Sequence, residues 1–201
     1  MPENGKPAVE MKDVSATSFG YVIGFLLPGM LGLYALGFWF PEVHSLLQPA
    51  TSKDATLGPS FFLLLSALTV GLLVGGIRFY VFQEWICRKH KLGHEMFKGL
   101  TGDRLTSFKA VVDEHYRYHQ FYGGCAVAMP VMFAGWMRDK WTTAGSAHII
   151  FWVGGFLLLE GFLIVTAQGC FVDYSGRSKV IVAHLQEEAG REKLATVSTV
   201  K

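Results

Sequence analysis

Charge is scarce in this chain: 17% of its 201 residues are Asp, Glu, Lys or Arg, against about 25% in an ordinary soluble domain. Neither sign dominates. Eighteen Lys and Arg face 16 Asp and Glu, for a formal net charge of +2. Nucleic-acid binders carry a strongly basic footprint, so no nucleic-acid partner is expected. Cysteine is rare too. Cys87, Cys125 and Cys170 stand in or beside apolar stretches without CxxC spacing, which argues against a disulfide framework or a zinc knuckle. GxSxG, a Walker Gly-rich loop, HExxH and SxxK are all missing, so conventional soluble catalytic machinery is not expected. No internal repeat or low-complexity tract divides the chain, and one domain suffices.

What is abundant is apolar surface, with 51% hydrophobic residues and a mean hydropathy of +0.32. Tyr21 to Phe40 is twenty residues without a charge, Phe61 to Ile77 seventeen, and Phe121 to Met137 seventeen. Ala147 to Val172 carries one acid, Glu160, and His148 near its start. Each run is long enough for about 30 Å of hydrocarbon. The runs are apolar all round, not alternating, which argues for helices and against barrel strands. The pattern predicts an all-α polytopic membrane protein, a four-helix bundle spanning at about 20–40, 60–82, 121–137 and 147–170 within a transmembrane domain of 19–172. Residues 1–18 are expected to form a flexible N-terminus, 83–120 a helical-hairpin stalk between spans two and three, and 173–201 a tail. No small-residue cleavage site follows the first span, so it reads as a retained span and not a signal peptide.

Orientation follows from the cations. Segment 83–120 holds Arg88, Lys89, Lys91, Lys98, Arg104, Lys109 and Arg117; the tail adds Arg177, Lys179, Arg191, Lys193 and Lys201. The other loops hold only Lys53, Arg138 and Lys140. The positive-inside bias puts both termini and the stalk in the cytoplasm, in the cell membrane or, in a bacterium, the inner membrane. Gln83 to Leu92 has no breaker, so span two is expected to run on for two or three turns to Gly93. Arg78, near the end of that span, is expected to snorkel outward. Leu105 to Gln120 is amphipathic and leads unbroken into span three. Tyr174-Ser175-Gly176-Arg177 reads as a turn, followed by a short tail helix over 178–194.

Three sets of residues could carry chemistry. The first is two HxxxH pairs, His90/His94 and His115/His119. This resembles the cytoplasmic histidine boxes of membrane-bound di-iron hydroxylases and desaturases, and the resemblance implies an iron- or zinc-dependent metalloenzyme. Those families use about eight histidines with HH clusters; this chain has seven and no HH pair. At 1.5 Å per helical residue, His90 stands roughly 12 Å and His94 roughly 18 Å beyond span two, whereas His119 is about 3 Å from span three. Only a smaller site of His90 and His115 with Glu84 or Glu114 survives that geometry. The plainer reading makes these histidines a hydrogen-bonded stalk sensitive to pH near neutrality, and no cofactor is then expected.

The second set lies near the membrane centre. Glu160 sits in LLLEGFL, where an ionised carboxylate costs about 2.5 to 3.5 kcal/mol. Pro28 and Pro130 leave the carbonyls of Gly24 and Ala126 without their helical donors, and a protonated Glu160 could donate to one of them. Ser66 and Thr69 place hydroxyls at a similar depth, the kind of level at which ion paths are built. The third set is the small faces: Gly20 and Gly24, Gly71 and Gly75, Gly123 and Gly124, Gly154 and Gly155, where helices can approach closely.

The general plan is similar to that of membrane effectors of prokaryotic defence systems, a likeness that assigns no residue. The reading with most support is a non-enzymatic, lipid-embedded protein that self-associates as a homo-oligomer. It would act as a channel-like or membrane-perturbing effector, or anchor a cytoplasmic protein through 83–120 and the tail. The rivals are the His-dependent metalloenzyme and a small-solute transporter, the latter disfavoured by the lack of an inverted repeat.

Overall fold

The computed structural model describes residues 20, 22–51, 57–90, 92, 102–141, 143 and 145–199, and every regular element among them is helical. A π-helical turn, Val22–Leu26, leads into α1, Leu27–Gly37. After a short α2, Pro41–Thr51, comes α3, Leu57–Arg78, prolonged by a π-helical stretch, Phe79–Ile86. Helix α4, Gly102–Val111, passes through another π turn, Val112–Tyr116, into α5, Arg117–Lys140. The last helix, α6, runs from Ser146 to Thr199. The π turn before α1 has a local cause. Pro28 has no N–H and its ring crowds the preceding turn, and wider i→i+5 pairing just upstream relieves both.

Among the described residues two helices are long and apolar enough to cross a membrane, Leu57–Ile86 and Ala147–His184, with Val22–Gly37 a shorter apolar helix. Helix α5 is not apolar enough by the same measure. It instead packs against α1, α3 and α6. Gly123, Gly124, Cys125, Ala126, Ala128 and Gly135 are all buried along it. A face that meets protein at close range needs small residues, not greasy ones, so the third run is charge-free without being strongly hydrophobic.

The arrangement differs from a symmetric four-helix bundle. Helices α1, α3 and α5 pack on one another, whereas α6 packs on α5 and the α4 segment. Where α1 crosses α3 the backbones touch: a methyl group on Gly29 would collide with the Ala67 carbonyl, and one on Gly71 with the Phe25 carbonyl. Gly29 was not among the glycines expected to form a packing face. Gly124 admits Pro28, whose ring carbon lies 2.8 Å from where a methyl would be.

Two boundaries depart from expectation. The extension of α3 stops at Ile86, short of Gly93. Cys87 donates its N–H to the Phe82 carbonyl (2.6 Å) and leaves the helical region, and a 3-10 turn, Arg88–His90, follows. The chain is then tied to α6 by Ser175 Oγ, which donates to the His90 carbonyl (2.7 Å). The turn expected at Tyr174–Arg177 is absent, and so is a separate tail helix, because α6 continues through both. Phe171, Ser175, Ser178 and Val182 form a buried stripe at helical spacing. That packing offsets the cost of exposed Gly176 in mid-helix, about 1 kcal/mol relative to Ala.

Candidate functional site

A buried polar cluster lies where α3 ends and α5 begins. It is built on one face of the α5 segment, at Tyr116, His119, Gln120 and Gly123, spaced so that all four lie along one side of a helix. Arg78 crosses this face. Its stem lies on Gly123, where a methyl group would come within 3.0 Å of Arg78 Cγ and Cδ. Its guanidinium carbon stands 5.9 Å from the Tyr116 ring centroid. Arg78 does not snorkel: it is 4% exposed, and its Nη1 has no hydrogen-bond partner. The absence of a side chain at Gly123 lets the arginine lie inward along α5 instead of turning out to water.

His119 is fully buried. Its ring is surrounded by Phe171 (5.0 Å between centroids), Phe82 (5.8 Å) and Tyr116 (5.8 Å). His119 Nδ1 lies 2.8 Å from the Ala167 carbonyl oxygen. A carbonyl only accepts, so Nδ1 carries the proton and Nε2 presents a lone pair, which has no partner. Burial first, and the Arg78 charge second, hold this imidazole down to about 4, against the opposing pull of the Ala167 carbonyl. The expectation of a stalk histidine titrating near neutrality therefore fails at His119, which stays neutral. Gln120 Oε1 is also buried without a partner, close to Gly24.

Beside this cluster opens a cleft of about 330 Å³ lined by Phe79, Gln83, Glu84, Leu92, Tyr116, Phe171 and Tyr174. Gln83 Nε2 donates to Tyr116 Oη (3.0 Å), and the Tyr116 and Tyr174 rings stack at 4.9 Å. Burial, and then the neighbouring Tyr116, push the Tyr174 hydroxyl above its ordinary range.

The residues expected at the membrane centre are not brought together. Pro28 is buried against Gly124, whereas Glu160 stands on α6 within electrostatic reach of Cys125, so the two meet different faces of α5. Glu160 Oε2 is buried with no hydrogen-bond partner, so the expected bond to the Gly24 or Ala126 carbonyl is not made through it. Pro130 is exposed, Ser66 is half-buried, and Thr69 Oγ1 donates to Leu65 of its own helix (2.9 Å) from an exposed position. The small faces divide. Gly20 meets Arg117, Gly24 meets Gln120 and Gly75 meets Phe25, but a methyl group on Gly154 or Gly155 would meet nothing within 4 Å.

The histidine pairs are separated by local structure. His90 occupies the 3-10 turn and His115 the π turn, where its Nε2 is buried. Glu84 lines the cleft, while His94 and the Glu114 side chain lie outside the described residues. Among the described residues no group of three or more His, Cys, Asp or Glu side chains converges as a metal would require.

Sequence patterns also missed a clamp at the opposite end of the core. Arg138 Nη2 donates to the Phe38 carbonyl (2.6 Å), and its guanidinium lies 5.0 Å from the Trp39 ring. Trp39 Nε1 in turn donates to the Val131 carbonyl (3.1 Å). An Arg and a Trp flanking apolar runs signal interfacial anchors, but nothing in their spacing pairs them. No family model, curated protein or solved structure matches this chain.

Proposed function

We propose that the chain is a non-enzymatic multi-pass membrane protein of four spans with both termini cytoplasmic. It self-associates through the uncovered face of α6 and anchors a cytoplasmic partner through 83–120 and the tail. The observation that carries this reading is the asymmetry of α6. Only 6% of its most apolar window is buried. Leu157, Leu158, Phe162 and Val165 are exposed, and a methyl group on Gly154, Gly155, Gly161 or Gly169 would meet nothing within 4 Å. Such a surface fits lipid, and a glycine-lined one fits close approach by a second copy. The core glycines, by contrast, are already filled by neighbours.

Fractionation and labelling test this directly. The full chain is expected to resist carbonate extraction. A cysteine at Lys53→Cys should react with an impermeant thiol reagent from outside intact cells, and one at Glu10→Cys only after lysis. Equal reactivity at both positions, or release by carbonate, refutes the four-span reading. Self-association predicts a multimer in lipid nanodiscs that Gly154→Leu/Gly155→Leu reduces to a monomer.

Channel-like activity is a second reading, favoured by Glu160 standing on this same helix with a buried, unpartnered oxygen. Reconstituted wild type should then show single-channel currents that Glu160→Gln abolishes. Absence of current, or current unchanged in the variant, leaves only the anchor.

A further inference from the structure

An arginine keeps its charge inside a protein, and a buried cation needs an anion or a full set of acceptors. Among the described residues Arg78 is shown with neither. It is 4% exposed, Nη1 is unpartnered, and the described groups near it include an aromatic ring, a glycine and a neutral imidazole. The Tyr116 ring meets the guanidinium, Gly123 its stem, and the Arg78 charge reaches His119; Gln120 shares their face of α5 and turns its Oε1 toward Gly24. His119 Nε2 and Gln120 Oε1 are orphaned as well. Native proteins leave few buried polar groups unpaired, and three such groups at this junction point to a ligand.

The surroundings point to the chemistry of the ligand. Gln83 gives one N–H to Tyr116 Oη, which leaves the Tyr116 O–H free to donate. A half-turn of the Gln120 amide exchanges its acceptor for an N–H₂. Fixed positive charge with hydroxyl and amide donors is the equipment of an oxyanion site. The adjoining cleft, about 330 Å³, has room for a phosphate with an ester arm. Arg78 closes the apolar run of α3, the level at which headgroups would lie under the membrane reading proposed above, on which this step rests.

We infer that Arg78 is the anchor of a binding site for a phosphate-class oxyanion, supplied by a phospholipid headgroup or by free phosphate. The test uses the full chain in delipidated detergent micelles and follows thermal unfolding. Dioleoyl phosphatidylethanolamine should raise the wild-type midpoint by several degrees, and dioleoylglycerol, which has the same tails without phosphate, should not. A comparable shift with inorganic phosphate assigns the free anion as the source, and a shift with the phospholipid alone assigns the headgroup. Arg78→Met keeps the stem against Gly123 and removes the charge. It should melt above wild type in stripped micelles and ignore both additives, while Arg78→Lys keeps part of the response. The inference is overturned if Arg78→Met melts below wild type and still responds, or if dioleoylglycerol works as well as the phospholipid. Failure of carbonate resistance would instead remove the membrane reading, leaving the inorganic phosphate arm to decide the site.

Discussion

Gly29→Ala is the sharpest perturbation available, because the added methyl would meet backbone and not a side chain able to turn away. It would stand 2.7 Å from Gly71 N and 2.9 Å from the Ala67 carbonyl carbon, and closer still to the Ala67 oxygen. Comfortable heavy-atom contact is about 3.5 Å, so α1 and α3 must part by ~0.8 Å or more. A gap of that size forfeits about a quarter to a half of the attraction at each contact along the seam. The seam includes Gly32 against Val70 and Val74, and Gly75 against Phe25. Overpacking costs about 1–3 kcal/mol, and opening a whole seam puts this case near the top, ~3 kcal/mol. At about 2–4 °C per kcal/mol for a chain of this size, the midpoint should fall by about 6–12 °C. Gly76→Ala, on α3 itself, is the control. A methyl group there would meet nothing within 4 Å, so it gains only helix propensity, about 1 kcal/mol, and should leave the midpoint unchanged or slightly raised. Tryptophan fluorescence during heating in detergent reads both variants. If they melt within a degree or two of each other, the close α1–α3 crossing is wrong.

Acid stability should report on His119, which lies two residues before the third apolar run of the sequence. The imidazole takes up a proton near 6.5 when unfolded but only at about 4 when folded. Below pH 6.5 the unfolded chain therefore holds the extra proton, and stability falls as the pH drops from about 6.5 to about 4 while staying flat above. The drop should be on the order of 3 kcal/mol; His119→Phe should abolish it, and an identical pH profile in that variant would disprove the assignment. Trp39→Phe removes the bond to the Val131 carbonyl and should cost about 1 kcal/mol in unfolding experiments, with no change in membrane insertion. Ser175→Ala should release the 88–90 turn, read as faster amide exchange at His90 with the core helices unaffected; unchanged protection there would mean the hydroxyl does not hold the turn.

Helical class and the positions of the apolar runs were legible in the sequence, because burial in hydrocarbon or protein selects side chains by type and imposes run length. Gly123 and Gly124 were among the small residues at which close approach was expected, and both are buried along α5. Which glycines are consumed was not legible. Gly71 and Gly154 look alike in one dimension, and only the crossing of α1 over α3 makes the first indispensable, while α6, lying outside that crossing, leaves the second open. The site was hidden for the same reason. Arg78 reads as a snorkelling end-of-span cation until Gly123, forty-five residues away, provides the groove that draws it inward. His119 reads as half of an HxxxH pair until the Ala167 carbonyl fixes its tautomer. Local periodicity determines what a helix is made of and how far it runs; the partners of a buried charge are set by long-range packing, which no short window of sequence contains.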